Sequence, residues 1–252
     1  MKKASILLAL VFAPVALAQN AQLEILCSNG YKSAMEKLLP AAQKAAERKV
    51  HVQYGTSANL KQTIQSGVPF DITILSAQVL DDLEKSGQIA AGSKVDLASS
   101  GIGIAVRSGK PKPDVQSTQA VKQLLESAKA VSYVPVGAST PELMKMFDSM
   151  GIKKDVQKKA ILQPGADQNM KSVADGQADL AFGLVSEIVS VPGVQLAGPL
   201  PSEFQKQVVL SAGIATVSQN REAANKFIKA LTTASAAKTI KMIGLDAITV
   251  EK

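Results

Sequence analysis

The chain has one cysteine, one histidine and no tryptophan among its 252 residues, and aromatic residues make up only 4% of it. With Cys27 alone no internal disulfide can form, so no cysteine framework holds the fold together. Cys27 follows Glu24-Ile25-Leu26 rather than the Leu and small residues that mark a lipid-attached cysteine. A single histidine, a single cysteine and no carboxylates at ligand spacing speak against a metal site, and no cofactor motif is present. His51 alternates with Val50 and Val52 in a strand pattern and reads as pendant or packed. Ser-His-Asp catalysis has no nucleophile-elbow sequence to support it.

Acidic residues are also in the minority, 21 against 28 Lys and Arg, for a formal charge of +7. Such a balance favours anionic ligands. Nucleic acid is excluded as the partner, because Lys44, Lys61, Lys122, Lys145, Lys171 and Lys226 are spread along helical stretches with no basic cluster interleaved with aromatics.

Long hydrophobic runs are missing beyond the N-terminus. Residues 1–18 carry Lys2 and Lys3, an apolar run from Ile6 to Val15, and the small-residue end Ala16-Leu17-Ala18. This is the pattern of a secretory signal, with cleavage expected before Gln19 and a periplasmic mature protein. The run is broken by Pro14 and is shorter than the roughly 20 apolar residues a spanning helix needs. Cleavage would remove two lysines and leave +5.

What is abundant is Ala, Val, Ile and Leu: 46% of the chain is hydrophobic, the composition of packed β-α units. Strand-then-helix patterns recur. Leu23 to Cys27 precedes an amphipathic stretch from Tyr31 to Arg48, Val50 to Tyr54 precedes a helix from about Ala58 to Ser66, and Phe70 to Leu75 precedes a helix reaching Lys85. The pattern restarts with helix Thr118 to Ser127, strand Ala130 to Val134, helix Pro141 to Met150, strand Ala160 to Leu162, helix Asp167 to Asp175 and strand Asp179 to Gly183. Extended segments near Leu97 to Val106 and Gln207 to Val217 bracket this second run, and two C-terminal helices follow. The expectation is a two-lobed α/β protein with two crossover strands as hinge. Residues 19–100 and 210–252 would form the first lobe and 101–209 the second.

Three β-α junctions share one makeup: Ser28-Asn29-Gly30, Gly55-Thr56-Ser57-Ala58 and Gly137-Ala138-Ser139-Thr140-Pro141. Ligands of open α/β sheets bind beyond the carboxyl ends of strands, where helix N-termini present unpaired N–H groups suited to an anion. The plainer alternative is that each Ser, Thr or Asn only caps its helix. Three such junctions divided between two lobes point to a shared anion site.

Several stretches carry a resemblance. They are the strand leading into Cys27-Ser28-Asn29, the block Tyr54 to Leu60 followed by Gln65-Ser66-Gly67-Val68-Pro69-Phe70-Asp71, the segment Ser99 to Val106, and Val173 to Gly183. In these the chain resembles the periplasmic molybdate-binding proteins of ABC importers, type II solute-binding proteins, over nearly all of its mature length. The resemblance implies hydroxyl ligands at Ser28 and Ser57 with Thr56 beside them, and backbone donors from Ala138, Ser139 and Thr140. It implies a further donor near Asp167, Gln168 and Asn169. It also implies an ABC permease as partner, and a monomer is expected. Two positions depart from the family: Val134-Pro135 stands for Asp-Pro, and Leu184 stands where a tyrosine touches oxyanions.

The first functional reading is a binding protein that captures a small anion, a molybdate-like oxyanion or a small carboxylate, for an ABC importer. The second is a periplasmic isomerase of a small polycarboxylate, since aconitate isomerase looks like the molybdate binders. Asn29, Thr56, Thr140, Gln168 and Asn169 would supply donors to such a ligand, and an allylic proton shift would need a base, for which Glu142 and Asp167 are the candidates.

Overall fold

A computed structural model describes residues 22–248; the predicted signal segment, residues 1–18, lies outside them. The chain runs β1 (Leu23–Ser28), α1 (Asn29–Ala46), β2 (Val50–Gly55), α2 (Ser57–Gln65), β3 (Ile72–Ser76), α3 (Ala77–Lys85) and β4 (Val95–Ser100). It continues through β5 (Ile102–Arg107), α4 (Thr118–Ser127), β6 (Val131–Tyr133), α5 (Thr140–Ser149), α6 (Lys153–Lys158), β7 (Ala160–Leu162) and α7 (Ala166–Ala174). Then come β8 (Leu180–Leu184), α8 (Val185–Val189), β9 (Val194–Pro199), β10 (Val208–Ile214), α9 (Arg221–Leu231), α10 (Ala234–Met242) and β11 (Asp246–Ala247). No helix among the described residues is long and apolar enough to cross a membrane.

Two sheets result, ordered β11-β4-β10-β3-β1-β2 and β7-β6-β8-β5-β9. In the first, β1 is flanked by parallel β2 and β3; in the second, β6 is flanked by parallel β7 and β8. At each of these strands the chain leaves to one side and later returns on the other. The carboxyl end of such a strand has a crevice beside it, because the two connections diverge there. The two crevices belong to the ends of β1 and β6.

Packing explains the pairing of helices with sheets. Tyr31, Ala34, Met35, Leu38 and Ala42 recur at helical spacing on α1 and meet Ala224, Phe227, Ile228 and Leu231 of α9 against the first sheet. The other face of that sheet packs Leu26, Leu60, Ile64, Phe70, Leu80 and Leu83. The second sheet has its own two cores, one around Phe147 and Phe182 and one around Met170 and Val173. The helix expected to reach Arg48 ends at Ala46, where Glu47 turns left-handed with φ 53° and its N–H caps the carbonyls of Gln43 and Lys44.

Asp71, the last residue of the Gln65-to-Asp71 block, is buried and fully used. One oxygen accepts the Glu24 N–H at 3.0 Å; the other accepts Ser218 Oγ at 2.6 Å and Asn220 Nδ2 at 3.2 Å. It thus ties β1 to the turn between β10 and α9. Gly67, at φ +86°, ends α2 in a backbone conformation that side-chain-bearing residues seldom adopt.

The sheets are joined by two connections. β4 passes into β5 through Gly101, and β9 reaches β10 through residues 200–207. The Gln205 side chain binds one connection to the other: its Oε1 accepts the Ile102 N–H and its Nε2 donates to the Ile102 carbonyl, both at 2.9 Å.

Candidate functional site

The ends of β1 and β6 face one another across a cavity of about 20 Å³. It is lined from the first lobe by Ser28, Asn29, Thr56 and Ser57, and from the second by Val134, Gly137, Ala138, Ser139, Ala166, Phe182, Gly183, Leu184 and Glu187. Its volume is little more than one water needs. An outer chamber of about 650 Å³ adjoins it and shares Ser57, Gly137 and Ala138; Pro141, Glu142 and Lys206 stand on its wall.

The hydroxyl groups are positioned by helix starts. Ser28 is the N-cap of α1, its Oγ accepting the Gly30 N–H at 3.4 Å. Thr56 caps α2 by accepting the Asn59 N–H at 3.1 Å. Ser57 is not a cap: its Oγ accepts the Ser76 N–H at 3.0 Å, fixing the start of α2 to the end of β3. All three are buried, and in each the oxygen is engaged as an acceptor while the hydroxyl proton has no acceptor among the described residues. The plainer reading therefore holds for Ser28 and Thr56 as far as the oxygen is concerned, and leaves their protons available.

Ala138 and Ser139 lie in the turn before α5, and their N–H groups find no acceptor among the described residues. Gly165, the N-cap of α7, carries no side chain to satisfy the first N–H groups of that helix. The N-termini of α1, α2, α5 and α7 thus converge on the cavity, each adding partial positive charge. Among the described residues no lysine or arginine lines it. An anion placed here would be held by neutral dipoles alone.

The remaining residues singled out in the sequence fall elsewhere. Thr140 donates its hydroxyl to the Val134 carbonyl at 2.5 Å and faces the outer chamber. Asn169 is buried behind the site, its amide spent on Ser132 Oγ and the Phe182 carbonyl, both at 2.7 Å. Gln168 is exposed. Asp167 is 58% exposed and pairs with Lys32 across the lobes at 2.6 Å. Glu142 stands in the outer chamber between Lys206 at 3.1 Å and Lys145 at 3.3 Å. The hydrogen bond from Lys206 is the main cause that holds its carboxyl below the usual range, a poor condition for a base at neutral pH.

One carboxyl does line the inner cavity, and it was not among the residues expected from the sequence. Glu187 stands on the first turn of α8 and is partly buried; its Oε2 accepts the Leu184 N–H at 3.0 Å. Burial pushes its carboxyl up to about 7, the Leu184 hydrogen bond opposing and the Asp167 charge adding to the rise. Gly183 makes room for it, since a Cβ there would come within 3.0 Å of Oε2 and 2.8 Å of Met170 Cε. Leu184 brings an apolar side chain to the cavity wall, its Cδ1 lying where a Cβ on Gly30 would meet it at 2.7 Å.

Residues 23–246 match the family model described as bacterial extracellular solute-binding protein. The chain belongs to this family. The solute-binding protein described here is 33% identical over 231 residues to an aconitate isomerase from a Pseudomonas species, covering 90% of this chain and 88% of that one. Among solved structures it is similar to the periplasmic molybdate-binding protein of Azotobacter vinelandii, with a TM-score of 0.75 at 16% identity, over 91% of this chain and 100% of that one. It is also similar to the sulfate-binding protein SubI of Mycobacterium tuberculosis H37Rv, with a TM-score of 0.68 at 18% identity, over 90% and 87% of the two chains. At those identities the solved structures establish the two-lobed fold of this solute-binding protein, in line with the sequence reading.

Proposed function

We propose that this chain is a periplasmic binding protein that closes its two lobes on a small carboxylate anion and presents it to an ABC permease. The observation that carries the reading is the convergence of unpaired hydroxyl protons and N–H donors from both lobes on a cavity with no lysine or arginine among the described residues of its lining. Donors contributed by both lobes reward closure, because the anion is fully coordinated only when the lobes meet. With the lobes parted slightly the inner cavity would take one carboxylate head, and the outer chamber has space for the rest of an organic acid beside Lys206, which is shared with Glu142. A compact oxyanion would leave that chamber unused, and the family tyrosine that would touch it is Leu184 here. Thermal-shift measurements on the mature protein with di- and tricarboxylates, molybdate, tungstate and sulfate test the reading. Carboxylates should raise the melting temperature, and stabilisation by inorganic oxyanions alone would overturn the choice of ligand.

A second reading, an isomerase of an unsaturated polycarboxylate, is favoured by Glu187 and by the 33% identity to an aconitate isomerase. In an allylic shift a base removes a proton from the CH₂ beside the double bond, and the electron pair spreads over three carbons and the attached carboxylate. The proton then returns at the far carbon, so atoms balance without an oxidant. A carboxyl that titrates near 7 inside the cavity is suited to take and return that proton. Following the isomer ratio of cis- or trans-aconitate with the protein decides it: conversion above the buffer rate supports the enzyme, and none rejects it for that substrate.

A further inference from the structure

A carboxyl facing an anion site that holds no cation is a conflict of charge unless one of the two groups is neutral. Two like charges a few ångströms apart in a desolvated space cannot both stay ionised without a large cost. The lining of the inner cavity offers nothing to offset it, because among the described residues Glu187 is its only ionisable one. The neighbouring elements do not neutralise it either. β8 and β9 carry no charged residue, and Arg107 at the far end of β5 is engaged with the Ala174 carbonyl. On α7, Asp167 adds negative charge and Lys171 pairs with Asp175; on α1, Lys32 is committed to Asp167, and Glu36 is a further acid.

The placement of the carboxyl is nevertheless specific. Oε2 is held by the Leu184 N–H, Gly183 leaves the space it needs, and Oε1 has no hydrogen-bond partner among the described residues. A protonated carboxyl in that position would have its acceptor duty met by Leu184 and one O–H left to donate into the cavity. From this geometry we propose that Glu187 takes up a proton as the anion enters and donates it in a hydrogen bond to the bound anion, so that the cleft captures an anion together with a proton. The inference rests on the reading of the cleft as an anion site and adds to it a rule of selection: ligands that accept a hydrogen bond from an acid are favoured, and capture weakens as the pH rises.

The sign follows from linkage. Unliganded Glu187 titrates at about 7, and a bound anion moves it higher, so between those two values binding consumes a proton and affinity falls with rising pH. The test is calorimetric titration of the mature wild-type protein and of Glu187→Gln with trans-aconitate and with molybdate, from about pH 6 to about pH 8.5, each in two buffers of different ionisation enthalpy. Gln imitates the protonated acid: its carbonyl can keep the Leu184 N–H while its NH₂ donates into the cavity. Wild type should take up close to one proton per anion above about pH 7 and lose affinity toward tenfold per pH unit, while E187Q should show neither effect and bind more tightly than wild type at the alkaline end. Binding to wild type with no proton uptake and the same pH dependence as E187Q would overturn the proposal while leaving the anion site intact. If neither probe binds either protein, the anion-site reading itself fails and the proposal with it. Should E187Q not fold, the wild-type proton count in the two buffers decides alone.

Discussion

Ser57 Oγ accepts the Ser76 N–H at 3.0 Å, which fixes the oxygen on the cavity wall and leaves the proton to point elsewhere. A hydroxyl restrained in this way is a preset donor, since little freedom is lost when an anion arrives. Replacing Ser57 by Ala should weaken anion binding by about 1 to 3 kcal/mol, and it should lower the stability of the unliganded protein by about 1 kcal/mol through the orphaned Ser76 N–H. Titration and thermal unfolding of the same variant separate the two effects. An unchanged affinity with a lowered melting temperature would assign Ser57 to the fold alone.

Glu187 should leave its mark on stability without any ligand. Its carboxyl titrates at about 7 in the folded chain against 4.5 for the free side chain, so the fold prefers the neutral form. The contribution is fully present below about 4.5 and is lost as the pH rises through about 7, amounting to as much as about 3 kcal/mol. Urea unfolding at intervals of pH should show this decline in wild type and a flatter profile in Glu187→Gln.

Gln205 should be felt at the hinge. Its amide makes both hydrogen bonds to Ile102, one connection gripping the other. Gln205→Ala should cost about 1 to 2 kcal/mol of stability. It should also broaden the distribution of lobe separations, read as a larger radius of gyration in small-angle scattering of the unliganded protein. An unchanged scattering profile would mean that the connections hold their geometry without it.

If the isomerase reading is correct, the carboxylates sort by position. Glu142→Gln and Asp167→Asn, altering a lysine-paired outer residue and an exposed interlobe pair, should change turnover by less than about tenfold. Glu187→Gln should lower it by about a hundredfold or more with binding retained. Equal losses for all three would point to a general effect on lobe closure.

The β-α repeat was legible because its signals are local. Thr118–Ser127 and Ala160–Leu162 match the expected limits, and most other elements shift by a residue or two, as α1 does where Glu47 caps it; the segment expected to reach Val217 ends at Ile214, and that expected over Leu97 to Val106 is split at Gly101 into β4 and β5. The elements that escaped notice lack such signals. α6 contributes one buried residue, Val156, so no apolar period marks it. α8 is a Val-Ser-Glu-Ile-Val turn, and β9 ends in Gly198-Pro199, residues common in loops and tolerated on an edge strand. In the cavity, the hydroxyl and small-residue junctions were visible as β-α boundaries. Asn169 was not separable from a ligand residue, because only the fold shows its amide spent on Ser132 and Phe182. Glu187 was hidden by the short helix that carries it, although an acid three residues beyond Leu184, at the carboxyl end of a strand, was the available signal.

The decisive measurement is the stability of the mature protein against a series of anions, with Ser57→Ala beside it. A carboxylate held by the cavity dipoles should raise wild-type stability by about 2.7 kcal/mol at one hundred times its dissociation constant. At that same concentration S57A should gain distinctly less. If no anion stabilises wild type, the ligand is not held between β1 and β6; equal stabilisation of S57A would remove Ser57 from the donors that hold it.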